Sequence, residues 1–116
     1  MIIIKRAYET ASKDDGVRIL VDRLWPRGRT KDEVVADYWL KEVAPTTELR
    51  KWFNHDPKKW KMFCKRYLHE LAEKKELLEQ LKTLTKKKNV TLMYGAKNEE
   101  YNQARALKEF IDKRLL

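Results

Sequence analysis

The chain has 116 residues, a formal charge of +9, 39% charged and 10% aromatic residues, and one cysteine. That length suits a single domain, residues 1–116, large enough to bury one core without a disulfide or metal staple. An internal disulfide is excluded, no segment has the length of a bilayer span, and the opening Met1-Ile2-Ile3-Ile4-Lys5-Arg6 is too short an apolar run for a signal peptide. An unpaired Cys64 favours a reducing compartment, so a cytoplasmic location without membrane contact is expected.

Ile2 to Lys5 reads as a first strand, β-branched and apolar. Asp14-Asp15-Gly16 is a turn signal. Val17 to Val21 is a second strand whose near-continuous apolar character points to burial on both faces. Thr30-Lys31-Asp32-Glu33 has the form of a capping box ahead of a short helix. Asp37 to Val43 reads as a third strand, stopped by Pro45, and Thr46 or Thr47 caps a helix through about Phe53.

Asp56-Pro57 is a helix start. Trp60, Phe63, Cys64, Tyr67, Leu68 and Leu71 then follow at three- and four-residue steps, the spacing of an apolar helical face. Leu77, Leu78, Leu81 and Leu84 continue it beyond the charged Glu73-Lys74-Lys75, where a break or kink is expected. Val90 to Tyr94 is the fourth strand. Tyr101 or Asn102 opens the last helix, with Ala104, Leu107, Phe110 and Ile111 inward. This order predicts an α/β domain: a small, mainly parallel four-stranded sheet with helices on both faces, in three layers.

Ligands of open α/β sheets bind beyond the C-terminal strand ends. The second strand delivers Asp22, Arg23, Trp25 and Arg27 there, and the fourth delivers Lys97, Asn98, Glu99 and Asn102. Two arginines and a lysine suit an anion, because a guanidinium can hold two phosphate or carboxylate oxygens at once. The expectation is a site for a phosphorylated or nucleotide-like small molecule, open to enzymatic use. In it Arg23, Arg27 and Lys97 hold the anion and Trp25 walls the pocket. Asp22 or His55 handles protons, and Asn102 orients the ligand. The competing view makes Asp22 a loop brace, Trp25 a core plug and His55 a turn residue.

Residues 51–88 hold 12 lysines and arginines against five acids, a net of +7. With Trp52 and Trp60 nearby, this region supplies a second hypothesis, a nucleic-acid-binding module. Cys64 and His69 read as a buried thiol and a surface histidine. One Cys and two separated His form no zinc ligand set. The three scattered glycines form no phosphate loop, and no nucleophile elbow is present. No cofactor is expected.

Three blocks of sequence carry a resemblance: Arg18-Ile19-Leu20-Val21-Asp22-Arg23-Leu24-Trp25-Pro26-Arg27-Gly28, Trp39-Leu40-Lys41-Glu42-Val43-Ala44-Pro45, and Glu48-Leu49-Arg50-Lys51-Trp52-Phe53-Asn54-His55. With Val90-Thr91-Leu92-Met93-Tyr94-Gly95-Ala96-Lys97 and Asn102, they make nearly the whole chain similar to the YeaO-like family, a bacterial and archaeal domain of unknown function. The resemblance implies a small cytosolic α/β domain and supplies no reaction. The polar positions matching the family pattern are Arg18, Asp22, Arg23, Arg27, Arg50, His55, Lys97 and Asn102. Tyr101 departs from it, standing where members often have His; were that His catalytic in relatives, this chain would lack the reaction or use His55.

Overall fold

The computed structural model describes all 116 residues. Four strands, β1 (Ile2–Arg6), β2 (Val17–Leu20), β3 (Tyr38–Trp39) and β4 (Val90–Tyr94), form one sheet in the order β1-β4-β2-β3. Every pairing is parallel, with Ile2 opposite Val90, Val17 opposite Val90 and Ile19 opposite Tyr38. Five α-helices accompany it: α1 (Lys31–Val34), α2 (Thr47–Phe53), α3 (Trp60–Leu71), α4 (Lys75–Lys87) and α5 (Gln103–Asp112). No helix is long and apolar enough to cross a membrane.

Side chains alternate across a strand, and the two faces of this sheet differ in kind. Ile2, Ile19, Val21, Val90, Leu92 and Tyr94 point to one face. There they meet Leu49 and Phe53 of α2, Phe63, Tyr67 and Leu71 of α3, Leu78 and Leu81 of α4, and Ala104, Leu107 and Phe110 of α5. Full burial of side chains this size contributes roughly 1.5–3 kcal/mol each, so this face supplies most of the stability.

The opposite face has a smaller apolar cluster, Ala7, Leu20, Val34 and Met93, covered by α1 and by Trp25. Helices thus lie on both faces, but unequally. The remainder of the second face is closed by a buried polar network on the β1–β2 connection. Arg18 is 3% exposed and Asp15 2% exposed. The Arg18 guanidinium pairs with Asp15 and donates to the carbonyls of Val34 and Val35, each at 2.8 Å. Lys5 also pairs with Asp15, at 3.1 Å, and the Thr91 hydroxyl donates to the Asp15 carbonyl at 2.7 Å. Asp15 in turn caps the short 3₁₀ turn Lys13–Asp15 through Ser12. Gly16 is obligatory in this connection: its φ is +63°, and a Cβ there would stand 2.2 Å from the Asn89 carbonyl oxygen.

Local signals place most helices. Thr30 and Glu33 form a reciprocal capping box on α1. Thr46 caps α2 by accepting from the Leu49 N–H, and Glu70 of α3 holds the Thr46 N–H and hydroxyl at 3.0 and 2.7 Å. Asp56 accepts from the Lys58 N–H at the 3₁₀ turn Pro57–Lys59, which leads directly into α3. The expected break between α3 and α4 falls at residues 72–74. The third strand is much shorter than the expected 37–43. Pairing stops after Trp39, and Lys41–Val43 is a 3₁₀ turn. That turn carries Val43 into the main core, where the Tyr67 hydroxyl donates to its carbonyl at 2.6 Å.

Removing one partner of a buried ion pair leaves a charge without compensation, costing about 3–5 kcal/mol. Asp15→Asn, which strands the Arg18 guanidinium, is therefore expected to lower the unfolding free energy by about 3 kcal/mol or more in urea titrations at pH 7. A change below about 1 kcal/mol would show that the second face does not depend on the network.

Candidate functional site

A cleft of about 190 Å³ opens at the C-terminal ends of β2 and β4, on the face covered by the larger helices. Its floor is Asp22, the second residue beyond β2. The Asp22 carboxylate accepts the Gly95 N–H at 2.7 Å, where the chain leaves β4, and the Gln103 side-chain amide from the first turn of α5. Gly95 is fixed by this approach, since a Cβ there would stand 2.9 Å from the carboxylate oxygen.

Three further segments wall the cleft. Arg23 leans toward the 44–45 segment, its Nε donating to the Pro45 carbonyl at 3.2 Å and its Nη2 to the Ala44 carbonyl at 3.0 Å. Arg50 projects from α2 beside Phe53, exposed and without a side-chain hydrogen bond or ion pair. His55 follows α2 in a left-handed conformation, as Asn54 does, with φ values of 55° and 47°. Consecutive left-handed residues other than glycine are uncommon; here they turn the chain sharply, and the His55 ring stands edge-on to Phe53 at 6.2 Å.

The structure brings together Asp22, Arg23, His55 and Asn102 from the residues singled out by sequence. Asn102 is 1% exposed and already committed to α5. Its side-chain oxygen accepts the Arg105 N–H, and its amide donates to the Asn98 carbonyl, both at 2.9 Å. It is the helix cap as well as a wall.

Trp25, Arg27 and Lys97, expected at the same site, do not line it. Trp25 turns to the opposite face of the sheet, donates to the Arg29 carbonyl and packs edge-on to Trp39 with ring centres 5.3 Å apart. The Arg27 and Lys97 side chains are exposed; Arg27 takes part in the fold through its carbonyl, which accepts from Tyr8. Two lining residues escaped the strand-end argument. Gln103 carries no motif, and Arg50 lies on a helix; only its agreement with the family pattern marked it.

Outside the cleft, Cys64 is half-buried with its thiol pushed up to about 11, chiefly by burial. Such a thiol is a poor nucleophile at neutral pH. Trp52 already has Arg66 and Lys59 over its ring, at 4.2 and 5.1 Å. Trp60 is packed among Phe53, Phe63 and Tyr101. The aromatics of the basic region are thus engaged within the fold.

The chain matches along residues 1–116 the family described as the inactive DUF488-N3 subclade, DUF488-N3i. It is 44% identical over 107 residues to "Uncharacterized protein YeaO" of Escherichia coli K12, covering 92% of this chain and 93% of that protein. It is 38% identical over 111 residues to "Uncharacterized protein Mb3100c" of Mycobacterium bovis and to "Uncharacterized protein Rv3073c" of Mycobacterium tuberculosis H37Rv, covering 96% of this chain and 93% of each. No solved structure matches significantly. The chain belongs to the DUF488-N3i family and is a YeaO-like domain of unknown function.

Burial pushes the Asp22 carboxyl up from 3.8 to about 6, outweighing the Gly95 N–H, the Arg50 charge and the Gln103 amide, which all favour the ionised form. The folded state therefore holds this proton more tightly than the unfolded chain. The resulting stabilisation is complete below pH 4 and is lost as pH rises through 6. Above that the fold maintains an ionised carboxylate at a cost. Asp22→Asn removes the charge and keeps an oxygen for the Gly95 N–H. It is expected to raise stability at pH 8 by about 1–2 kcal/mol, a few degrees in Tm, and to lose that advantage at pH 4. Thermal melts at the two pH values check this; a variant no more stable than the parent at pH 8 contradicts it.

Proposed function

We propose that this protein binds a small anion, a phosphate or the phosphate end of a small metabolite, in the Asp22 cleft, and that it acts by binding rather than by turnover. The observation that carries this reading is the pair of arginines at one cleft. Arg23 is pre-oriented by the carbonyls of Ala44 and Pro45, and Arg50 has no protein partner. Two guanidiniums outweigh the single Asp22 charge, and their planar donors match phosphate oxygens. Asp22 and His55, expected to handle protons, serve here as recognition groups that border the anion.

Size narrows the ligand. About 190 Å³ lies below the usual 300–1,000 Å³ of sites for drug-sized molecules. A phosphate group fits, and a nucleoside attached to it would extend outside. The absence of turnover agrees with the family's description as an inactive subclade. It also agrees with Tyr101, which by the family resemblance replaces a His that members often have, and which packs against Trp60 at 5.4 Å. A nucleic-acid role for residues 51–88 draws no comparable support, because Trp52 and Trp60 are occupied.

Isothermal titration with inorganic phosphate at low ionic strength tests the reading. Arg50→Ala is expected to weaken binding about tenfold, equivalent to roughly 1.4 kcal/mol, without lowering Tm. Arg27→Ala and Lys97→Ala leave affinity within about twofold, beyond a small screening effect. No heat with the parent protein, or an Arg27→Ala loss equal to that of Arg50→Ala, overturns it.

A further inference from the structure

The cleft holds an acid as well as arginines, and an anion site that retains a carboxylate has a consequence for which anions it accepts. An ionised carboxylate is acceptor-only, with about four lone-pair positions on its two oxygens. The Gly95 N–H occupies one and the Gln103 amide another. The remaining lone pairs of Asp22, a residue that lines the cleft, have no protein donor. A ligand oxygen without a hydrogen, placed beside them, meets repulsion and forms no bond. A ligand oxygen that carries a hydrogen donates to Asp22 while its charged oxygens face Arg23 and Arg50.

We infer that the cleft selects anions carrying their own hydrogen-bond donor, with Asp22 accepting that hydrogen, so that hydrogen phosphate is bound and sulfate of the same charge and similar size is rejected. The inference rests on the reading of the cleft as an anion site and specifies its ligand class: oxyanions that keep a hydrogen at neutral pH, as inorganic phosphate does and its monoesters do not, or compact acids bearing an adjacent hydroxyl or ammonium group. It also gives a role to a carboxyl whose ionised form burial disfavours, against the smaller opposing effects of the Gly95 N–H, Arg50 and Gln103. A site made only to attract negative charge would do better with Asn at this position. A site built to accept a hydrogen rejects an analogue that lacks it by a large factor, because its own polar group is then left unpaired.

The experiment is a comparison of phosphate and sulfate by isothermal titration at pH 8, where Asp22 is ionised, phosphate is chiefly the monohydrogen dianion and sulfate carries no proton. The parent protein is expected to bind phosphate about tenfold or more tightly than sulfate. Arg50→Ala weakens both and preserves their ratio. Asp22→Asn, whose amide can donate to a bare oxygen, brings the ratio to about one by strengthening sulfate. Equal affinity for the two anions in the parent protein overturns the selectivity and leaves the anion site standing. Persistence of the tenfold preference in Asp22→Asn also overturns it. Binding of neither anion overturns the anion site itself, and the selectivity with it.

Discussion

The Asp22 carboxylate is the point on which the cleft end of this molecule depends. One side chain ties its own strand exit to two points more than 70 residues later, the exit of β4 through the Gly95 N–H and the first turn of α5 through Gln103. Its carbonyl holds a third, accepting the Trp39 indole N–H at 2.7 Å. Parallel strands bring their C-terminal ends to one edge, and helices that return across the same face must begin there. Some polar group has to satisfy the backbone in that crevice. Here the group is an acid, and its charge gives the crevice a chemistry beyond structural closure.

The rest of the fold supports that arrangement in two different ways. On the helical face, apolar burial fixes the positions of α2, α3 and α5, and with them Arg50, Phe63 and Gln103. Thr46 and Glu70 lock the start of α2 to α3, and the turn bearing His55 at its other end runs into the cap at Asp56. On the opposite face a buried charge network replaces much of the apolar area. Arg18 and Asp15 hold the β1–β2 connection against β4, which lies between those two strands in the sheet. A short chain thereby covers both faces of a parallel sheet with only one long-helix layer.

Much of this was legible in the sequence, for identifiable reasons. Continuous apolar runs gave β1, β2 and β4. Capping residues at Thr30, Thr46 and Asp56 gave helix starts, and the rule of strand C-termini pointed to Asp22 and Arg23, which line the cleft there. Side-chain direction was not legible. Trp25, Arg27 and Lys97 lie within four residues of a cleft-lining position, yet their side chains leave the cleft, because loop dihedrals rather than strand alternation set their direction. Arg50 enters from a helix, and its contribution depends on how α2 packs against α3. β3 is present but shorter than expected for a related reason: the partly alternating pattern of Asp37–Val43 fitted a strand throughout, but packing of Val43 in the core takes the chain into a 3₁₀ turn after Trp39.

The charge balance acquires a more specific meaning in this light. The +9 excess is concentrated in residues 51–88, where Arg66 and Lys59 cover Trp52 and much of the remainder is solvated. Only two arginines, Arg23 and Arg50, line the Asp22 cleft beside the acid between the strand ends. Asp22 is the perturbed, half-buried carboxyl at the centre of that arrangement. Carbon-detected NMR titration of the Asp22 side-chain carboxyl measures this directly. A midpoint near 6 is expected, with the Gly95 amide resonance shifting in step; a midpoint near 4, the ordinary value for an aspartate in water, would show that burial does not perturb this group.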